Sequence, residues 1–271
     1  MTTKTELAEL IRKRLDECAE ASREQWNQTT GTPTRHFFVD DLLPGPLIEQ
    51  VSEAFPRSGI DWVPRSSFRE KKKTFTKVDS INPIIRAVTD AFHEKPVLDA
   101  VARITEFDGL EPDPELYAGG ISMMDPGDFL NPHIDNSHDS ARARYRRLNL
   151  LFYVSPEWSE SCGGNLELWN PAVTRPVEIV SRCNRLVVME TNKTSWHSVN
   201  QVVADRSRCC ISNYYFSQAS PDGTGYYHVT SFLGRPNEPV RRAWGRLDNF
   251  LRQQIAVRLR ISRGKNLARY Q

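Results

Sequence analysis

His133-x-Asp135 is answered far downstream by His197 and then by Arg208. Two imidazoles and one carboxylate can hold an iron(II) ion on three sides and leave three positions open, the arrangement called a facial triad. The guanidinium of Arg208 is a rigid fork of donors that suits a carboxylate, which it can bind through two parallel hydrogen bonds. The chemistry these types suggest is metal-centred and involves a carboxylate-bearing molecule.

The spacing has a physical logic. Residues i and i+2 of a β-strand point to one face, so His133 and Asp135 project together if residues 132–136 are extended. Pro132 biases the residue before it toward extended backbone. Ile134 then turns the other way, into apolar packing. His197 has to arrive from a different strand, as expected of a barrel-like site.

The elements around these residues change character near position 115. Apolar alternation and turn-forming residues predict eight short strands at 116–124, 132–136, 148–154, 165–169, 177–180, 185–190, 198–203 and 209–216. That pattern suggests a double-sheet jelly roll. Before it, Leu7, Leu10, Ile11, Leu15 and Cys18 recur at helical spacing and predict a helix over 4–26. Further helices are expected at 44–55, 83–93 and 96–104. A short extended piece (226–232) and a basic helix from about 238 to 261 follow the strands. The basic helix is expected to pack on the barrel through Leu247, Phe250, Leu251 and Ile255. The organisation is therefore a helical or mixed region (1–114) packing on the core, a β core (115–217) and a C-terminal extension (218–271).

Composition narrows the function classes. A chain of 271 residues, 26% of them charged, with net charge +2 gives no overall electrostatic case for nucleic acid or a membrane as partner. The N-terminus lacks the apolar core of a signal peptide, and no stretch is apolar enough to span a bilayer. Five cysteines without a CxxC pair suggest reduced thiols and a cytoplasmic protein.

Together the motifs resemble the 2-oxoglutarate/Fe(II)-dependent dioxygenases, in the prolyl-hydroxylase-like branch. The resemblance covers roughly 115–217. It runs through Pro126-Gly-Asp-Phe-Leu before His133-x-Asp135, then Arg146-Arg-Leu-Asn-Leu-Leu-Phe-Tyr153, Trp158 and Gly163-Gly164 before Leu166-Glu-Leu. Asn184-Arg-Leu-Val-Val-Met, Trp196-His197-Ser-Val, and Arg208 before Tyr214-Tyr-Phe complete it. It implies a double-stranded β-helix with flanking helices, and Fe(II), 2-oxoglutarate and O2 as the cofactor set. By position it makes His133, Asp135 and His197 the metal ligands and catalytic residues, and Arg208 the partner of the distal 2-oxoglutarate carboxylate. Tyr153 holds the place from which some relatives bond the same carboxylate. Several relatives carry a tyrosine about ten residues before the first histidine. Here Met123-Met-Asp125 occupies that stretch, with Asp125 as a candidate replacement. Cys210 stands where some relatives place serine.

Strand parity adds to this independently. Asn149, Leu151 and Tyr153 share one face, suited to a polar pocket, while Leu148, Leu150, Phe152 and Val154 share the other. Arg208, Cys210 and Ser212 share a face too, so Asn149 and Ser212 are further candidate contacts. Arg206 competes with Arg208 but sits in a turn-like Ala-Asp-Arg-Ser. His138 and Asp139 are expected in a loop at the pocket mouth, structural or substrate-facing. Lys71–Lys73 reads as a solvated face. Arg142, Arg144, Arg146 and Arg147 could overlook the site and favour an anionic substrate. Trp158, Trp169 and Trp196 read as packing residues.

Three functions remain open: a hydroxylase of a small molecule such as an amino acid, free or carrier-bound; a prolyl-type hydroxylase of a protein; and a jelly-roll protein that keeps metal without turnover. The intact triad with Arg208 counts against the third. Helices placed to cap the site would favour a small substrate. Asp135 argues for hydroxylation or desaturation over halogenation, because halogenating relatives lack that carboxylate.

Overall fold

The computed structural model describes residues 2–117 and 119–259, the side chains of Arg246 and 255–259 excepted. Its helices are α1 (Lys4–Glu17), α2 (Ala19–Asn27), α3 (Gly45–Ala54), α4 (Pro83–Ala91), α5 (Lys95–Thr105) and α6 (Pro239–Leu259). Its strands are β1 (His36–Val39), β2 (Val63–Ser66), β3 (Glu70–Phe75), β4 (Glu111–Pro112), β5 (Gly120–Met124), β6 (Phe129–Ile134) and β7 (Tyr145–Tyr153). They continue as β8 (Leu166–Trp169), β9 (Pro176–Ile179), β10 (Arg185–Glu190), β11 (His197–Val199), β12 (Arg208–Ser217) and β13 (Ser231–Phe232).

The eight expected strands form a jelly roll. One antiparallel layer runs β1-β10-β7-β12-β5, the other β6-β11-β8-β9, and β3 joins them by pairing with both β5 and β6. The stretch before 115 thus supplies sheet strands as well as helices. Strand parity sorts the two faces as expected. Leu148, Leu150, Phe152 and Val154, with Leu186, Val188 and Ile211, share one buried core with Leu7, Ile11, Val51, Val88 and Val101 of the helices. Burying one such side chain contributes about 1.5–3 kcal/mol, so this all-apolar face is where the helices are held.

That placement corrects one expectation. The helices α1, α3, α4 and α5 back the first sheet and do not cap the polar interior. The predicted helix over 4–26 is two helices meeting at Cys18. The break lets Trp26 meet Phe37 and Phe107 edge-on, at ring centroid distances of 6.2 and 5.6 Å. All five cysteines are free thiols.

The last helix corrects another. Leu247, Phe250 and Leu251 of α6 are exposed rather than packed on the barrel; the side chain of Ile255 lies outside the described residues. Polar groups dock the helix instead. Asn249 bonds both the N–H and the C=O of Phe232, and Gln253 bonds Val229 N–H and Tyr227 C=O. Hydrogen bonds to backbone groups that would otherwise lack partners decided the face. Of the expected extended piece 226–232, only Ser231–Phe232 pairs as a strand.

Candidate active site

His133 and His197 lie directly opposite each other on paired antiparallel strands β6 and β11. Their ring centroids are 4.1 Å apart. Asp135 follows one residue beyond the end of β6. One ligand atom from each of the three lies within 4.8 Å of the others. His133 Nδ1–H donates to the Asn131 carbonyl at 3.0 Å and His197 Nδ1–H to the Ser195 carbonyl at 2.9 Å. Both Nε2 atoms therefore carry their lone pairs toward Asp135, each 3.8 Å from one of its oxygens. Buried Asp135 Oδ2 has the Arg146 guanidinium 3.2 Å away as its ion-pair partner, without an aligned hydrogen bond among the described residues.

The electrostatics suit a cation. Burial lowers the pKa of both imidazoles, with each other's presence adding to it at His133, so both are neutral donors at neutral pH. Burial works against the Asp135 anion. Arg146 beside it, with His197, His133 and Lys72, overrides that and holds the carboxyl well below the ordinary range. Two neutral imidazoles and one carboxylate are the donor set a divalent iron requires, so the residues present fit the metal.

Arg208, the first residue of β12, is buried. Its Nε–H donates to Ser181 Oγ at 3.1 Å, Nη1 approaches Met124 Sδ at 3.7 Å, and the guanidinium lies 4.7 Å from the Tyr153 ring centre. Among the described residues no carboxylate pairs with this cation. Gly164 lies against its stem: an added Cβ there would stand 3.0 Å from Arg208 Cδ, at a φ of +65° that other residues rarely adopt. Arg206 lies outside, on the Glu157 carbonyl and 5.6 Å from the Trp158 ring centre. A buried cation without an anion is the site a 2-oxoglutarate carboxylate would complete.

A cavity of about 260 Å³ connects these groups. His133, Asp135, His197, Arg208, Asn149, Ser212 and Cys210 all line it. Tyr153 lies beneath Arg208, fully buried. Asp125 turns away, paired with Lys73 at 2.6 Å and accepting from Ser207. It does not replace the missing tyrosine; Met124 lines the cavity there. His138 and Asp139 do not line the cavity and make local contacts. Asp139 binds Arg144 and caps the following turn, and His138 bonds Ser137 Oγ and packs on Tyr145. Trp158 and Trp169 are buried, each donating from its ring nitrogen inside the core. Trp196, partly buried, packs against Trp169.

Two residues escaped the sequence, Lys72 and Phe232, and a third, Arg146, was legible only as one of four. Lys72 lines the cavity because β3 alternates. Glu70, Lys72 and Thr74 face inward, while Lys71 and Lys73 pair outward with Asp128 and Asp125. The basic run is thus not simply a solvated face. Of the four arginines at 142–147, only Arg146 lines the cavity. A bulge puts it there. Leu148 opposes Tyr215 and Arg146 opposes Phe216, so Arg147 is the extra residue. Alternation counted back from Asn149 would have delivered Arg147, which instead stacks on Phe107. Phe232, from a segment with no strong strand signal, stacks on His133 at 5.1 Å.

Comparison with known proteins bears on the same residues. The sequence model of the 2OG-Fe(II) oxygenase superfamily matches 119–216. A prolyl 3-hydroxylase, OGFOD1 of Xenopus laevis, is 34% identical over 76 residues, which is 26% of this chain and 15% of that protein. The chain thus matches only a small part of that relative. Among solved structures, a prolyl hydroxylase of Trichoplax adhaerens in complex with a hypoxia-inducible-factor peptide superposes with a TM-score of 0.52 at 18% identity. The match covers 76% of this chain and 92% of that one. The epimerase SnoN from nogalamycin biosynthesis gives 0.53 at 12% identity, covering 82% and 87%. Both share the fold.

Proposed function

We propose that residues 119–216, which match the sequence model of the 2OG-Fe(II) oxygenase superfamily, form a domain of the prolyl-hydroxylase-like branch, and that the chain is an Fe(II)- and 2-oxoglutarate-dependent dioxygenase that hydroxylates an unactivated C–H bond. The observation that carries this reading is the juxtaposition of the His133–Asp135–His197 cluster with the unneutralised Arg208 in one cavity.

In this reading His133 Nε2, His197 Nε2 and the Asp135 carboxylate hold the metal. Arg208, locked by Ser181, takes the distal carboxylate of 2-oxoglutarate. The iron, 2-oxoglutarate and O2 together supply an oxidation that releases succinate and CO2 and leaves hydroxyl on the substrate. The chain's part is positioning and exclusion of water. Leu151, Leu166 and Val199 give the cavity apolar walls. Asn149 and Ser212 offer hydrogen bonds to whatever lies between Arg208 and the metal cluster. Arg146 keeps Asp135 ionised and aimed.

The substrate is read as a residue of a polypeptide. A cavity of about 260 Å³, shared with 2-oxoglutarate, is smaller than the roughly 300–1,000 Å³ of a pocket for a drug-sized ligand. It leaves room for one side chain. Among the described residues, the helices before the core do not cap the site, contrary to what the reading of a small metabolite expected. The prolyl 3-hydroxylase relative acts, by its name, on proline. A free amino acid fits the same volume and is the second reading. The test is succinate formation driven by a panel of proline-containing peptides and free amino acids under iron, ascorbate and 2-oxoglutarate. Turnover with peptides alone supports the first reading and turnover with free amino acids alone the second. Absence of both turnover and 2-oxoglutarate binding sinks the dioxygenase reading.

A further inference from the structure

Helix α6 shows its polar side to the protein and its apolar side to water. Arg242 donates to the carbonyls of Ala172, Val173 and Gly234, and Asn249 and Gln253 bond the segment 227–232. Gly245 lies against the same segment, where an added Cβ would meet Phe232 O at 2.8 Å. Positions 242, 245, 249 and 253 fall on one helical face. Turned away from that face, Val240, Trp244, Leu247 and Leu251, with Phe250 on the flank, are between 49% and 70% exposed. Phe68, at the β2–β3 turn, joins Trp244, Leu247 and Leu251 around one shallow groove. A helix normally buries such a stripe, and a contiguous apolar patch on a protein surface marks a binding site.

Charge says what kind. From Pro239 to Gln271 the sequence carries nine Lys and Arg against the single Asp248. That segment is +8 and the rest of the chain −6, which together make the chain's +2. The near-neutral total conceals a segregated basic end. A second copy meeting this face with its own α6 is disfavoured as the occupant, because it would bring another +8 segment against the first. Nucleic acid would satisfy the charge and leave the five apolar side chains in water. A bilayer surface with anionic headgroups satisfies both. Trp and Phe lodge at headgroup depth with the aliphatic stripe below, and the net positive charge of the segment answers the lipid charge.

We propose that the outer face of α6, with Phe68, is a docking surface for an anionic phospholipid membrane. The helix lies in the plane of the interface and does not span it; no helix among the described residues is long and apolar enough to cross a membrane. The face is separate from the cavity and does not depend on its chemistry.

The test uses the full chain and extruded vesicles of phosphatidylcholine, with or without about 30 mol% phosphatidylglycerol. The chain should sediment with the anionic vesicles only. It should be released as sodium chloride rises from about 0.1 to about 1 M, where the Debye length falls from about 10 to about 3 Å. The double substitution Leu247→Glu/Leu251→Glu should weaken partitioning by about tenfold or more. It should leave the thermal midpoint unchanged, since both side chains already face water. No sedimentation of the wild type overturns the proposal, and so does equal sedimentation of the double variant. A wild-type dimer by light scattering that the double substitution converts to monomer also overturns it, and assigns the face to a second copy.

Discussion

Arg146 Nη1 lies 3.2 Å from Asp135 Oδ2, and both side chains are largely withdrawn from water. Arg146 also donates to Asn136 Oδ1 at 2.9 Å and stacks over Tyr214 at 4.2 Å. The pair therefore stands or falls together. Arg146→Met should leave an uncompensated buried carboxylate and cost about 3–5 kcal/mol of stability in the metal-free protein. A divalent cation gives Asp135 a new partner, so saturating anaerobic Fe(II) should recover part of that loss. Urea titrations with and without Fe(II) measure it. An equal deficit in both would show that Arg146 acts by packing alone.

Removal of either imidazole should abolish the metal site. Anaerobic addition of Fe(II) and then 2-oxoglutarate to the wild type should give a weak visible charge-transfer band. His133→Ala and His197→Ala should lack it. Asp135→Ala should abolish turnover while keeping the fold, with weak residual iron binding by the histidines. Retention of the band in either histidine variant would falsify the assignment.

Arg208 and Arg206 should separate cleanly. Arg208 is buried with no carboxylate partner among the described residues, and Arg206 reaches the surface Glu157. A lysine cannot make both bonds of a bidentate pair, and losing one charge-assisted bond costs about 1.5–3 kcal/mol, or roughly ten- to hundredfold in affinity. Arg208→Lys should raise the 2-oxoglutarate requirement by that order and leave iron binding intact. Arg206→Lys should do little. A 2-oxoglutarate titration with iron saturating decides it, and the reverse pattern would move the carboxylate site.

Stability should fall in mild acid through His228. Burial pushes its imidazole down to about 4, below the ordinary value near 6.5. The unfolded chain therefore takes up the proton first as pH falls. Stability present above about pH 6.5 is lost as pH drops toward 4, by up to about 3 kcal/mol. In His228→Gln that part of the slope should vanish, so the variant loses less stability than the wild type between pH 7 and 4.5. Parallel curves for the two proteins would rule it out.

Much of the site was legible because its signals are local. His133-x-Asp135 shares a face by the two-residue repeat of extended chain. The alternation in 148–154 separated a helix-facing side from a cavity-facing side, and the structure keeps that division. Strand β3 was not legible, since Glu70-Lys-Lys-Lys-Thr-Phe carries no apolar alternation. It is a strand because the edges of β5 and β6 present backbone groups that need partners. Lys72 reaches the cavity only as a consequence.

The sequence by itself determined the residue types of the site, the order of its eight strands along the chain, and the shared faces of His133 with Asp135 and of Asn149 with Tyr153, because side-chain period and turn chemistry act over a few residues. Tertiary structure decided the rest. It chose Arg146 over Arg147, because one unpaired residue in the β7–β12 ladder reverses parity beyond it. It set the helices behind the sheet and turned the apolar face of α6 outward, because the groups that dock them come from distant parts of the chain. No local pattern records which distant backbone carbonyls and amides will be left to satisfy.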